Sequence, residues 1–299
     1  MVTQNSLVSI ITINYNSLDY TLELLKSLEN SLYRDFEVIV VDNCSSSNPE
    51  EILKKDFPNV IFHRSEENLG FAGGNNKGIE LASGEYLFFI NNDTEVTPEL
   101  IGDLVDSFKE SDDIGMISPK IIYFNTNIIQ FSGYTEISNL TARNEAIGNG
   151  ENDSEEYSGM MSSPYAHGAA MMTKRSVVDK CGNMPEVYFL YYEELDWCEI
   201  IRKAGYKIMV NRSATIYHKE SMSIGKNSPL KSYYLTRNRI LFFRRNKKVS
   251  EKFIFLSYFI FLVLPIKSFI MLLKRDFVIL KVTWKGVMWH LRNLQYVKN

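Results

Sequence analysis

The sequence predicts an α/β protein whose central sheet is mostly parallel, and three features carry that prediction. Short apolar runs rich in β-branched residues alternate with segments whose leucines recur at helical spacing. The runs show no alternation of apolar and polar residues, which is typical of strands buried on both faces of a parallel sheet. Each run ends in polar residues, and open α/β sheets bind their ligands beyond the carboxyl ends of the strands.

The predicted elements follow one another as strand, helix, strand, strand, helix and strand, at residues 7–13, 19–28, 37–41, 60–64, 75–82 and 86–90. The polar segment 132–163 predicts a long surface excursion. A later helix buries Leu195, Cys198 and Ile201 and ends at Gly205, since glycine commonly follows the last helical residue. Alternating strands and helices of this kind indicate βαβ units.

Composition bounds the class of protein. A chain of 299 residues with 45% hydrophobic content can build a sizeable core, which excludes a disordered chain or a disulfide miniprotein. The three cysteines follow no zinc or disulfide spacing and indicate a reducing compartment. The first residues carry no basic secretory segment, so we expect a start in the cytosol.

Charge divides the chain unevenly although the net charge is only −3. Residues 226–299 contain 16 Lys and Arg and two acids, whereas residues 1–225 are strongly acidic. We therefore expect an acidic body over 1–225, large enough to be a catalytic domain, and a basic, hydrophobic helical region over 226–299 that has an anionic partner.

The basic region favours a membrane over nucleic acid. Residues 231–248 predict an amphipathic basic helix, followed at 253–266 by 14 residues without a charge. Crossing a bilayer takes about 20 apolar residues, and Pro265 and Lys267 interrupt the extension to residue 273. Helices lying on the anionic cytoplasmic face of the plasma membrane are therefore favoured over a span. A soluble helical cap on the acidic body is the alternative.

Two segments could bind phosphates or a cation. The glycine-rich connection 68–79, NLGFAGGNNKGI, could approach a phosphate or sugar closely, or could be a structural turn. It fits neither a dinucleotide fingerprint nor a P-loop. Asn91, Asn92 and Asp93 follow a very apolar strand, and an amide and a carboxylate two residues apart in extended chain could grip a divalent cation. A turn that caps the strand is the alternative.

A third segment could supply a base. Glu193, Glu194 and Asp196 lie among aromatic residues, and crowding should raise their pKa values toward those of a general base. The alternative is an acidic first turn that stabilises a helix. His218 follows another short strand and is either a metal ligand or structural.

In order along the chain, six pieces resemble the inverting family-two glycosyltransferases with the GT-A fold. They cover roughly residues 7–225 and read VSIITINYNSLDYTLELLKSL, VIVVDNCS, ENLGFAGGNNKGI, FFINNDTEV, FLYYEELDWC and AGYKIMVNRSATIYHKESMS. The nearest likeness is to rhamnosyltransferase-like members that build bacterial surface polysaccharides. Rhamnose is therefore a candidate sugar.

The resemblance implies roles for individual residues. Tyr15 would lie against the nucleotide base and Asp42 would hydrogen-bond the base or ribose. Asp93 would hold Mg²⁺ or Mn²⁺ as the last residue of a DxD motif that here begins with Asn, and His218 would be a further metal or phosphate contact. The residues expected on the nucleotide-sugar side are Asn68, Gly70, Asn76, Asn91 and Asn92.

The resemblance also implies the chemistry. Glu194, next to Glu193, takes the position of the general base, with Asp196 in reserve. The expected reaction moves a sugar from a nucleotide-diphosphate donor to a lipid-linked or polysaccharide acceptor with inversion. A sugar-nucleotide-forming nucleotidylyltransferase and a non-catalytic membrane scaffold are the alternatives.

Overall fold

The computed structural model describes residues 6–219 and 228–297. Within them ten strands form one sheet, with helices packed on both of its faces. The strands are β1 (Val8–Asn14), β2 (Phe36–Asp42), β3 (Ile61–Arg64), β4 (Tyr86–Ile90), β5 (Thr94–Val96), β6 (Ile114–Tyr123), β7 (Ile129–Phe131), β8 (Met160–Ser162), β9 (Ala170–Lys174) and β10 (Lys207–His218). The helices are α1 (Leu18–Leu28), α2 (Glu50–Asp56), α3 (Gly70–Leu81), α4 (Leu100–Ser107), α5 (Arg175–Cys181), α6 (Glu193–Lys203), α7 (Pro229–Asn246), α8 (Val249–Tyr258), α9 (Leu264–Leu273) and α10 (Phe277–Arg292).

The strand order is β3-β2-β1-β4-β9-β6-β10-β5, with β7 and β8 paired to β6 and β10. The pairs among β3, β2, β1 and β4 are parallel, which confirms the predicted βαβ half of the sheet. Strand β9 runs antiparallel between β4 and β6. Residues just before β9 are therefore delivered to the edge at which β4 ends.

Alternate strand residues build an apolar layer on each face of the sheet. Ile10 and Phe88 pack on the side of α1 and α4, whereas Ile11 and Phe89 pack on the side of α3 and α6. Trp197 of α6 meets the ring of Phe89 edge-on at 5.5 Å. Burial on both faces explains why the strands carry no polar alternation.

Helix α3 begins at Gly70, five residues before the predicted start, so most of the glycine-rich stretch is helix rather than connection. Its glycines allow close approach to the sheet. A Cβ on Gly78 would lie 2.3 Å from Cγ2 of Ile11, and one on Gly74 would lie 2.9 Å from Cδ1 of Ile13. The prediction of a phosphate-approaching loop is therefore wrong for these two positions, because their backbone contacts β1.

Helix α7 packs into the core of the acidic body. Phe242 and Phe243 are fully buried, and Arg237 and Arg239 are only 7% and 8% exposed. The prediction that α7 presents its basic residues to lipid is wrong at these positions, and the alternative of a packed helical cap describes α7 better. The expected domain boundary, between residues 225 and 226, lies outside the described residues.

Helices α8 and α9 form one continuous helix. A π-helical turn, Phe259–Val263, precedes Pro265 and lets the backbone continue past the proline. The expected interruption at Pro265 is therefore wrong. Among the residues that the structure describes, this stretch of 25 residues, Val249–Leu273, is the one long and apolar enough to cross a bilayer, judged by length and composition.

Candidate functional site

Three strand ends are joined by a chain of side-chain hydrogen bonds at the carboxyl edge of the parallel strands. Asn14 Nδ2 donates to Asp42 Oδ1 at 2.7 Å, and Thr21 Oγ1 donates to Asn14 Oδ1 at 3.0 Å. Asn92 Nδ2 donates in turn to Thr21 Oγ1 at 2.9 Å. The predicted residues Asp42 and Asn92 therefore belong to one network that spans β2, β1 and β4.

Asp42 is 0% exposed, and its carboxylate is used within the protein. Ser45 donates to it through Oγ at 2.5 Å and through the backbone N–H at 3.0 Å. The expected direct contact of Asp42 with a base or ribose does not fit this arrangement. Asp42 instead fixes the loop after β2. Tyr15, 47% exposed at the end of β1, is open to solvent.

The residues expected to bind the nucleotide in the glycine-rich segment tie α3 to the loop before α6. Asn68 Oδ1 accepts from the N–H of Gly70 at 2.9 Å. Gly70 has a φ of +71°, and a Cβ there would lie 2.2 Å from the carbonyl oxygen of Phe189. The buried Asn76 bonds both backbone polar atoms of Met184, at 2.9 and 3.0 Å. The prediction of a nucleotide contact is therefore wrong for Asn76, because its amide is consumed internally.

Residues 91–93 leave β4 as a turn, with Thr94 Oγ1 donating to the carbonyl of Asn91 at 2.7 Å. The premise that Asn91 and Asp93 point the same way from an extended strand is therefore wrong. The structure instead brings Asp93 to His218 at the end of β10, with 3.2 Å between Asp93 Oδ1 and His218 Nε2.

This pair fits a divalent cation. His218 Nδ1 lies 2.7 Å from Gln130 Oε1, an amide oxygen that can accept a hydrogen bond from Nδ1. The tautomer with its proton on Nδ1 has a lone pair on Nε2, the ring nitrogen on the side of Asp93. A carboxylate oxygen and an imidazole nitrogen at this separation can bind the same ion. The described residues contain no group of three or more His, Cys, Asp and Glu ligands. Two protein ligands suit a cation that also binds substrate phosphates and water.

The loop before α6 is held in a strained conformation. Phe189, Tyr191 and Tyr192 have φ values of +64°, +69° and +76°, which cost about 1–3 kcal/mol each in residues other than glycine. Asn238 Nδ2 of α7 donates to the carbonyls of Leu190 and Tyr191, both at 2.7 Å. This role of α7 was missed from the sequence, where its segment indicated a membrane surface.

Glu194 is the second residue of α6 and lies beside the segment that leads into β9. A Cβ built on Gly168 would lie 3.7 Å from both Glu194 Cγ and Phe71 Cζ. The next carbonyl, that of Ala169, accepts from the N–H of Asn91 at 2.9 Å. Glu194 is thus on the same edge as the turn that carries Asp93. It also lines a cavity of about 430 Å³.

Burial raises the pKa of Glu194 to about 7, against the opposing effect of nearby backbone N–H groups. Burial, and then the neighbouring Glu194, raises the pKa of Glu193 well above its usual range. Glu193 is 3% exposed, and its Oε2 has no hydrogen-bond partner within the described residues. Of the two, Glu194 has the cavity access that a base needs.

Asp196 faces away from this cavity. Its buried carboxylate accepts from Arg245 Nε at 2.9 Å and from the side-chain amide of Asn246, both at the end of α7. The reserve assignment of Asp196 as the base is therefore wrong, since the carboxylate anchors α7.

Comparison with known proteins identifies a family and a relative that is similar over most of the chain. Residues 9–182 match the family model described as "Glycosyl transferase family 2". The chain is 28% identical over 241 residues to the low-salt glycan biosynthesis hexosyltransferase Agl10 of Haloferax volcanii, an alignment that covers 78% of this chain and 74% of that relative.

Two solved structures share the fold. The mannosyltransferase PcManGT of Pyrobaculum calidifontis, in complex with GDP-Man and Mn²⁺, gives a TM-score of 0.58 at 15% identity and covers 97% of this chain and 76% of its own. TarS 1-349 of S. aureus, in complex with UDP-GlcNAc, gives a TM-score of 0.52 at 21% identity. The match covers 85% of this chain and 73% of the TarS chain.

Proposed function

Since the chain belongs to glycosyl transferase family 2 and is a glycosyltransferase of the α/β GT-A fold, we propose that it moves a sugar from a nucleotide-diphosphate donor to an acceptor hydroxyl with inversion at the anomeric carbon. The observation that carries the proposal is the position of Glu194 on the wall of a cavity. Burial raises the pKa of this carboxylate to about 7. A base with a pKa near the working pH is the most effective kind.

In this mechanism Glu194 accepts the proton of the acceptor hydroxyl as that oxygen attacks the anomeric carbon. The bond from that carbon to the nucleotide diphosphate breaks in the same displacement. Attack from the face opposite the leaving group inverts the configuration. Positioned proton transfer of this kind contributes about 10²- to 10⁴-fold in rate.

Asp93 and His218 would hold the cation, Mg²⁺ or Mn²⁺, on the donor side. When bound, such an ion neutralises charge on the leaving diphosphate as a Lewis acid. Support comes from the 3.2 Å separation of the two side chains and from the Mn²⁺ named in the PcManGT complex. Tyr15 is the exposed aromatic side chain beside which a nucleotide base would stack.

For the acceptor we propose a lipid-linked glycan of the cell envelope, reached from the cytoplasmic face of the membrane. The relative Agl10 is named for glycan biosynthesis, and the apolar stretch Val249–Leu273 offers a membrane-contacting helix. Exposed side chains on it include Phe261, at 80% exposure. Rhamnose stays the predicted sugar, to be tested against other hexoses.

Family membership weighs against a nucleotidylyltransferase, and a carboxylate with a raised pKa on the wall of a cavity favours an enzyme over a non-catalytic scaffold. A panel of thymidine, uridine and guanosine diphosphate sugars with Mn²⁺ tests the proposal. We expect release of a nucleoside diphosphate and, by NMR, a product of inverted anomeric configuration. Release of inorganic diphosphate or retention of configuration would contradict it.

A further inference from the structure

Three cations converge on the cavity that contains Glu194. Arg143 comes from the segment between β7 and β8, Arg239 from α7 and Lys267 from α9. Arg143 and Arg239 also line an adjoining cavity of about 680 Å³. Elements far apart in sequence thus bring like charges to one place.

These cations lack anionic partners. Among the described residues, none of the three forms an ion pair with a carboxylate, whereas the nearby Glu136 is paired to Arg202 at 2.6 Å. Glu145 is the other acid on the adjoining cavity. Burial lowers the pKa of Arg239, and the charge of Arg143 lowers it further. Glu194 is the one acid among the described residues that line the same cavity. Grouping three cations there therefore costs free energy, which a bound anion would recover.

Arg239, on the wall of this cavity, has one N–H group without a hydrogen-bond acceptor among the described residues. It is 8% exposed, and one Nη donates to the carbonyl of Thr141. Its Nε is buried and has no hydrogen-bond partner within the described residues, and the same holds for Nδ2 of the neighbouring Asn144. Buried polar groups are almost always paired, so two unpaired donors beside one cavity are consistent with an acceptor that binds there.

The rest of the cavity wall indicates what carries that acceptor. Phe259 and Val263, from the apolar helix, line the same cavity as Tyr191 and Tyr192 of the strained loop. Apolar side chains suit a hydrocarbon chain, and tyrosines suit the face of a sugar. A guanidinium with free N–H groups suits a phosphate, which it can bind with two parallel hydrogen bonds.

Resting on the proposed transfer to a lipid-linked acceptor, we infer that Arg143, Arg239 and Lys267 form a subsite for the phosphate or diphosphate that joins the lipid to its glycan. In this arrangement the lipid chain extends from the phosphate along Phe259 and Val263. The acceptor hydroxyl of the glycan faces Glu194. Neither Asp93 nor His218 lines the cavity that contains these cations, so the subsite is distinct from that of the donor diphosphate.

Binding of farnesyl diphosphate to the full chain in detergent micelles tests the subsite by titration calorimetry. We expect Arg143→Gln, Arg239→Met and Lys267→Gln each to weaken binding about tenfold or more, the loss of a charge-assisted hydrogen bond. The matched controls Lys281→Gln and Arg292→Gln, which remove exposed cations of α10, should bind as the wild type does. Farnesol and inorganic diphosphate should each bind at least tenfold more weakly than farnesyl diphosphate.

Equal binding by the three variants and the controls would overturn the inference, and so would equal binding of farnesyl and inorganic diphosphate. Should Arg239→Met fail to fold, Arg239→Lys and the exposed Arg143→Gln carry the same test. Nucleotide release by the wild-type chain from the donor panel is measured separately, so failure of the proposed function is seen independently of failure at this subsite.

Discussion

The side-chain amide of Asn238 donates to the backbone carbonyl of Tyr191 at 2.7 Å, although the two residues are 47 positions apart. The same amide reaches the carbonyls of Leu190 at 2.7 Å and Tyr188 at 3.0 Å. The loop that it holds contains three residues with positive φ and leads into the first turn of α6, which contains Glu194. Helix α7 therefore fixes the position of the loop that precedes the proposed base, Glu194.

Asn238→Ala should lower kcat by about 10- to 100-fold, since the strained loop loses the hydrogen bonds that hold it. Asn238 is a positioning residue, so we also expect the pKa in the pH–rate profile to move from about 7 toward that of an ordinary glutamate as Glu194 becomes more hydrated. Asn293→Ala, at the residue that follows α10, is the matched control. An unchanged pH–rate profile in the Asn238 variant would argue against positioning.

Glu193→Gln should stabilise the protein at pH 8 and have little effect at pH 4. Burial raises the pKa of Glu193, so the folded state keeps a proton that the unfolded chain releases above its ordinary pKa. That contribution to stability is complete below the ordinary pKa and is lost as the pH rises through the raised one. We expect Tm at pH 8 to rise by roughly 2–4 °C, the shift that about 1 kcal/mol produces. An equal shift at both pH values would contradict the reasoning.

Asp93→Asn and His218→Ala should each weaken Mn²⁺-dependent donor binding by about tenfold or more, because each removes one of the two proposed protein ligands. Titration of a nucleotide sugar with and without Mn²⁺ measures the effect. Asp112→Asn, an exposed acid near the start of β6, is the control. Full Mn²⁺ dependence in both variants would move the cation to another site.

Replacing two exposed phenylalanines of α8–α9, in the double variant Phe261→Ser and Phe269→Ser, should reduce flotation with phosphatidylglycerol and phosphatidylethanolamine vesicles by about tenfold or more. Leu32→Ser, an equally exposed apolar residue on the body, should not. A truncation after residue 225 is unsuitable, since it removes the buried Phe242 and Asn238. Unchanged flotation of the double variant would show that this helix does not contact lipid.

The four parallel strands β1 to β4 could be predicted because burial on both faces leaves a continuous apolar run, and their carboxyl ends because polar residues follow at once. The strands β5 to β9 were not predicted. The start of α3 could not be predicted, because glycine usually indicates the end of a helix, whereas Gly74 is needed inside this helix for close contact with Ile13. The packing of α7 could not either, since Arg237 and Asn238 bond carbonyls that no sequence pattern reveals.

The candidate site was predicted in part. Glu194, Asp93 and His218 lie at the carboxyl edge of the parallel strands, where sheets of this kind bind ligands. Carboxylate and imidazole side chains can act as bases or metal ligands, so their residue types could be recognised in the sequence. Asp42, Asn76 and Asp196 have equally suitable side chains, but these side chains form hydrogen bonds within the protein. Sequence shows which groups could bind a substrate, and the fold decides which remain available.

The pH–rate profile of sugar transfer by wild type and Glu194→Gln tests the central claim most directly. For the wild type we expect transfer to fall about tenfold per pH unit below about 7, because Glu194 must be deprotonated to accept a proton. The Gln variant should bind the donor normally, lose about 10²- to 10⁴-fold in kcat and show a flat profile over this range. Wild-type transfer rates in that variant, or an unchanged pH dependence, would contradict the account.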